Sequence, residues 1–477
     1  MHFVLNHNLV VAAIVGGCLA GTAILFLPLT LVVVLLIGVS IMVLLHRYVT
    51  VMMYFLISLT LLGRTFLGFD FDTAWSNNAT IFPFYIPFLL PVLTIRNING
   101  LSGTSLPVKN SAFIPILILL CLWSMLSLMW TANKLHGVLF LLELMVNISI
   151  FFFCIFDLNS EEKLRRVLGF WCFFGFIIAT LSVSFHFLPL GGPYELEVEL
   201  LKNFYLRGKI AETQIRAMGI ANPNSMALIM NLSIYITLAL WATTKTMKKK
   251  FLYLAISLYF TFVILLTGSK GGVLSFLSAF FVLLILYNRF RKNMIIVLIV
   301  FTTLFIVLMG MFFILTESKG NRLAGALSVS GKTISDDETS FGSRFVMWEQ
   351  GFTKLFLESY GLGLGPGGFT HHCKPHPHAH NFYFSILFDF GVIGLLFLVL
   401  FLITLLQNFT VPIRHQKTRM HVVSIFLLAG MVAMSIQSLV DHMYSRTVIW
   451  LYLGIMVSTP ILDTDEFIHK ETKVQAP

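Results

Sequence analysis

Three observations predict an all-α integral membrane protein, a polytopic bundle of about 12–14 transmembrane helices. The chain of 477 residues is 57% hydrophobic and 11% charged, holds 47 phenylalanines and has a mean hydropathy of +0.88, which excludes a soluble globular protein. Apolar runs of roughly 15–25 residues, long enough to cross ~30 Å of hydrocarbon, recur from end to end. The lysines and arginines of the short connections fall on alternate loops, as the positive-inside rule requires of a polytopic chain.

The runs lie at 9–27, 29–45, 48–63, 81–95, 111–129, 135–156, 167–188, 217–241, 251–267, 272–287, 294–315, 382–406, 421–440 and 446–460. The first lacks a small-residue cleavage site and is followed at once by a second, so it is expected to be a retained span. The run at 81–95 carries Pro83, Pro87 and Pro91 and is the least regular. Five segments follow: N-terminal helices (1–188), a first long outer loop (189–216), central helices (217–315), a long extracytoplasmic loop with an amphipathic helix (316–381), and C-terminal helices with a cytoplasmic tail (382–477).

Basic short loops occur at Arg47, at Arg96 and Lys109, at Lys163/Arg165/Arg166, at Lys245/Lys248/Lys249/Lys250, at Arg289/Arg291/Lys292 and at Arg414/Lys417/Arg419. All fall on one side under this count, which places them and both termini in the cytoplasm. The two long loops then face outward. They are basic too, at Lys202, Arg207, Lys209 and Arg216, and at Lys319, Arg322, Lys332, Arg344, Lys354 and Lys374. Topology does not demand that outer charge, and a phosphorylated, lipid-borne substrate would attract it. The cytoplasmic share of the net charge of +10 is accounted for by topology and anionic lipid, without nucleic acid. No glycine-rich nucleotide loop or ATPase-sized cytoplasmic loop is present, so energy must come with the substrate or from an ion gradient.

Five outward features carry possible chemistry. His371, His372, His376, His378 and His380 crowd ten residues at the end of the second long loop, just before the span at 382. Such a tract invites a metal with Cys373, though no clean ligand spacing supports one. His380, followed by Asn381 at the start of the span, is instead placed to take a proton from a hydroxyl at the membrane surface. Upstream, Phe345, Trp348, Phe352, Leu355 and Phe356 recur at helical spacing, predicting an interfacial helix with Arg344 one turn before Trp348. The run from Gly361 to Gly368 offers exposed backbone amides and sharp turns.

Arg216 closes the first long loop, and Asn222-Pro223-Asn224 breaks the next helix near the outer surface, where an arginine fork suits phosphate. Lys270 lies in a tight outer turn, Thr-Gly-Ser-Lys-Gly-Gly. Asp70 and Asp72 form a short Asp-x-Asp that can hold a divalent metal. Glu143 and Asp389, and Asp441 beside His442, are ionisable groups in or at spans, where pairing for structure and function are equal alternatives.

His380-Asn381, nine residues, then Gly391-Val392-Ile393-Gly394 resembles the H-N-x9-G-x-x-G signature of the bacterial O-antigen ligase/polymerase family. Arg344, Trp348 and Gly361-Leu-Gly-Leu-Gly resemble that family's approach to the histidine, with Tyr360 where proline is common. Arg216, Gly219 and Asn222-Pro223-Asn224 are similar to its R-x-x-G…N-P-N element. Its Ser-Arg-Gly turn stands here as Ser269-Lys270-Gly271, which keeps the charge and loses the planar fork. The matches cover residues 205–400.

The resemblance implies a GT-C-like glycosyltransferase of the bacterial inner membrane. It would move a glycan from an undecaprenyl-diphosphate carrier to an acceptor hydroxyl on the outer face, with inversion and without metal or cofactor. Arg216 would bind the diphosphate, Arg344 would assist it or position the acceptor, and Lys270 would be a third cation there; His380 would act as base or at least orient the hydroxyl, Asn381 would help hold its ring, and Asn224 and Trp348 would contact substrate. Polymerase activity, joining one lipid-linked repeat to another, is the expectation; ligation to lipid A-core or protein is the alternative. A lipid-linked oligosaccharide flippase is the alternative of another class, disfavoured because no repeated halves are visible and charge gathers at the outer surface.

Overall fold

The computed structural model describes residues 49–62, 93–94, 97, 112–187, 223–286, 341–373, 379–414, 419–440 and 447–459, and among these it is helical throughout with no strand. In chain order the helices are α1 (Val49–Leu62), α2 (Phe113–Ser127), α3 (Lys134–Asp157), α4 (Glu161–Phe187), α5 (Pro223–Thr243), α6 (Met247–Thr267) and α7 (Lys270–Leu286). Then come α8 (Phe341–Thr353), which runs into a π-helical turn (Lys354–Glu358), α9 (Gly368–His372), α10 (Phe382–Arg414), α11 (Arg419–Gln437) and α12 (Thr447–Thr459). Six of them, α3, α4, α5, α6, α10 and α11, are long and apolar enough to cross a membrane, and α2, α7 and α12 are shorter apolar helices. The chain is a multi-pass membrane protein. The expected spans at 9–27, 29–45 and 294–315, and most of 81–95, lie outside the described residues.

Two boundaries differ from the expectation for physical reasons. α4 begins at Glu161, six residues before its apolar run, because Arg165 and Arg166 pair with Glu161 and Glu162 one turn earlier. α10 is not a plain span: it breaks at Gly391, whose φ of 69° and ψ of −167° no helix contains. α5 is the hub, packing against α4, α6, α7 and α11. Apolar lipid gives helices little reason to pack, so close approach and buried hydrogen bonds must hold them. Trp171 Nε1 donates to Ser233 Oγ at 3.0 Å, and Tyr235 donates to the Phe276 carbonyl at 2.8 Å. A side chain at Gly454 would collide with Cys154 and Phe151, so this glycine lets α12 lie on α3.

α4, α5, α6 and α7 reverse direction in turn, as do α10 and α11. The starts of α5, α7 and α10 therefore meet the ends of α6 and α11 at one end of the bundle. The basic connections around Lys163 and Lys245–Lys250 lie at the other.

Candidate active site

The first half of the site is an interlock between the glycine run and the broken helix. At Gly391 the α10 backbone turns out of helical geometry, and the carbonyls before it lose their intrahelical partners. The loop supplies replacements. Leu364 N donates to Phe388 O at 2.8 Å, Gly365 N to Asp389 O at 2.9 Å, and Val392 N returns to Gly361 O at 3.0 Å. The third freed carbonyl, Phe390 O, accepts the indole of Trp123 at 2.7 Å, while Trp130 Nε1 reaches Gly363 O at 2.9 Å.

Gly361, Gly363, Gly365 and Gly367 all have φ between 66° and 95°. A side chain at Gly363 would strike the Asp389 carbonyl, and one at Gly391 the backbone of Leu362. The expected sharp turns are present, but residues 363–369 are buried, so their amides are not exposed and the glycine run is a structural insert. Trp123 and Trp130 were missed because a tryptophan in an apolar run reads as lipid-facing.

The interlock presents the segment from Ala379 to Phe382. Trp348 on α8 donates to the Ala379 carbonyl at 2.7 Å and packs edge-on against Phe384, with centroids 5.0 Å apart. Asn381 is the N-cap of α10: its Oδ1 accepts Phe384 N at 3.0 Å and its Nδ2 donates to Leu439 O at 3.0 Å. Phe382 N donates to Ser438 O at 2.8 Å. Between these fixed neighbours stands His380, half-buried, with a φ of 47° in the left-handed region. A non-glycine residue costs about 1–2 kcal/mol there, and such strain gathers at functional sites. Asn381 thus fixes the backbone that carries His380.

α8 docks by Met347 and Gly351 and its π-helical turn by Leu355; Met347 and Leu355 form a small second core with Phe369, Cys373 and Phe388, and Gly351 lies against Phe388 and Phe369. Of the five apolar residues at helical spacing, Leu355 is buried and Trp348 and Phe352 are half-buried, while Phe345 and Phe356 are 56% and 52% exposed. They face outward as a lipid-bound edge would. Arg344, half-exposed, lies one turn before Trp348 on the same face. Asp389 is buried, and its Oδ1 accepts Phe369 N at 3.1 Å at the start of α9. Burial pushes the Cys373 thiol up to about 11.

The second half of the site lies at the starts of α5 and α7. Ser269 caps α7, its Oγ accepting Gly272 N at 3.1 Å and donating to Asn224 Oδ1 at 2.8 Å. Lys270, beside it, is exposed. Hydrogen bonds thus join the Asn-Pro-Asn element to the Ser-Lys-Gly turn, two motifs more than forty residues apart. The structure brings Asn224, Lys270, Trp348, His380 and Asn381 to one end of the bundle. Arg216, Asn222, Asp70, Asp72, His376, His378, Asp441 and His442 lie outside the described residues. Among the described residues no group of three or more His, Cys, Asp or Glu side chains is arranged to hold a metal.

The described residues thus form a multi-pass helical bundle with a strained histidine and an exposed lysine at one end. Residues 254–399 match the family model Wzy_C, O-antigen ligase, and this similarity over about a third of the chain supports a membrane enzyme of glycan processing. The matched stretch takes in Lys270, Arg344, Trp348, the glycine run, His380 and the Gly391 break. The comparison with curated proteins finds no match.

Proposed function

We propose that the protein is an inverting, metal-independent glycosyltransferase, using an undecaprenyl-diphosphate-linked glycan as donor at the extracytoplasmic face of the bacterial inner membrane. His380 accepts the proton of the acceptor hydroxyl as that oxygen bonds to the anomeric carbon. The bond from that carbon to the diphosphate oxygen breaks, and its electron pair leaves with the diphosphate. Arg216, Arg344 and Lys270 stabilise the departing charge. A diphosphate is already an activated leaving group, so no nucleotide is consumed. The observation that carries this reading is His380 itself, a histidine held at φ 47° between two hydrogen-bonded neighbours. Membrane lipid holds the carrier's tail, and the acceptor is a second glycan or a lipid A-core.

The test is purified full-length protein with lipid-linked donor. His380→Ala is expected to keep its fold and lose transfer; retained transfer removes the base assignment, and lost transport with intact transfer in that variant moves the chain to the flippase class. Of the two outcomes of such chemistry, polymerisation is preferred to ligation. A strain lacking the protein is expected to accumulate lipid-linked single repeats, whereas accumulated long lipid-linked chains identify a ligase.

A further inference from the structure

Both halves of the candidate site rest on the same short piece of chain, the last turn of α11 and the residues just past it. Gln437 is fully buried in that turn, where a polar side chain in a span is costly unless paired. It is paired on both sides: Nε2 donates to the Asn224 carbonyl at 2.6 Å, and Oε1 accepts from Asn231 Nδ2 and Ser275 Oγ, each at 3.4 Å. Its next two neighbours face the other half, Ser438 O accepting Phe382 N and Leu439 O accepting Asn381 Nδ2. Val440 lies so close over Gly271 that no side chain fits there. One turn of helix therefore touches the Asn224–Ser269–Lys270 side through Gln437 and the His380–Asn381 side through its backbone.

We propose that Gln437 is a positioning residue for glycosyl transfer, holding the diphosphate side of the site in register with the His380 side. The proposal rests on the glycosyltransferase reading above. Transfer needs the acceptor oxygen, held by the base, in line with the bond to the departing diphosphate, and small misplacements lower the rate of the chemical step more than they weaken binding. Gln437 touches neither substrate. Its polar contacts set where the start of α5 sits relative to α11, and so relative to Asn381.

The experiment uses the full chain in lipid nanodiscs with an undecaprenyl-diphosphate-linked glycan as probe. Gln437→Leu keeps the volume and leaves Asn231 Nδ2 with Gly272 O and Ser275 Oγ as acceptors, so folding is retained. The expected result is a fall in kcat of roughly ten- to a hundredfold, per folded molecule, with the donor KM unchanged. Gln437→Glu separates positioning from packing. Its buried carboxyl donates to the Asn224 carbonyl only while protonated, so activity recovers at acidic pH and falls as the carboxyl ionises, a limb absent from the wild-type pH profile. An unchanged kcat in Gln437→Leu overturns the proposal, as does a loss that follows the folded fraction alone, or a Gln437→Glu profile that parallels the wild type. Failure of the underlying reading shows separately, as transfer retained in His380→Ala.

Discussion

His380 occupies backbone space that a histidine enters at some expense, and the groups that keep it there are identified: Trp348 on the Ala379 carbonyl, Asn381 on Leu439. If strain serves chemistry, removing it should not harm the fold. His380→Gly is expected to leave the thermal midpoint unchanged or raise stability by up to about 1 kcal/mol, while transfer is lost. A marked drop in midpoint would instead make His380 a packing residue. Trp348→Phe keeps the ring against Phe384 and deletes only the bond to Ala379; kcat is expected to fall roughly tenfold with the midpoint lowered by no more than about 1 kcal/mol. Cys373 gives a third reading at this scale. With its thiol pushed up to about 11, it stays protonated at neutral pH, so a maleimide at pH 7 should leave Cys373 unlabelled in the folded protein. The burial of the neutral thiol supports the fold fully below the ordinary thiol range and is lost as pH climbs through about 11.

At the scale of elements, the helix break and the glycine run are one device. Gly391 frees carbonyls that the loop amides then fill, so neither conformation stands without the other. Gly391→Ala would push a methyl group into the Leu362 backbone and is expected to cost about 3 kcal/mol or more, read as a lowered thermal midpoint. This device was only partly legible. The signature from His380 to Gly394 was visible in the sequence, but Phe388 to Gly394 reads as one apolar run. What breaks it is a partner segment more than twenty residues earlier, and periodicity carries no such non-local information. Asn381 before an apolar run was legible as a helix start by its chemistry. Gln437 was missed, although a glutamine within an apolar run is itself a signal, because polar atoms are rare there unless they hold something.

For the whole molecule, the apolar runs match most described spans to within a few residues because each must be long enough to cross the bilayer; the exceptions are α4, which begins six residues before its run where charge pairs extend it, and α10, which continues to Arg414, eight residues past its run. Lys270 lies at the same end as His380, and the lysines from Lys245 to Lys250 at the opposite end. With the basic end cytoplasmic, a membrane-impermeant maleimide on intact spheroplasts should label Lys270→Cys and leave Lys245→Cys unlabelled until the membrane is opened; both positions are exposed. The reverse pattern would turn the site inward, away from any surface polysaccharide. EDTA is expected to leave transfer intact, and its abolition would bring Asp70, Asp72 or a histidine-bound metal into the mechanism.

The most direct measurement is single-turnover transfer from a purified undecaprenyl-diphosphate-linked glycan by the full chain and by His380→Asn, a side chain that tolerates the same backbone conformation. The prediction is equal donor binding and transfer slowed by about 10²–10⁴ in the variant. Transfer at the wild-type rate by His380→Asn would contradict a base at this position.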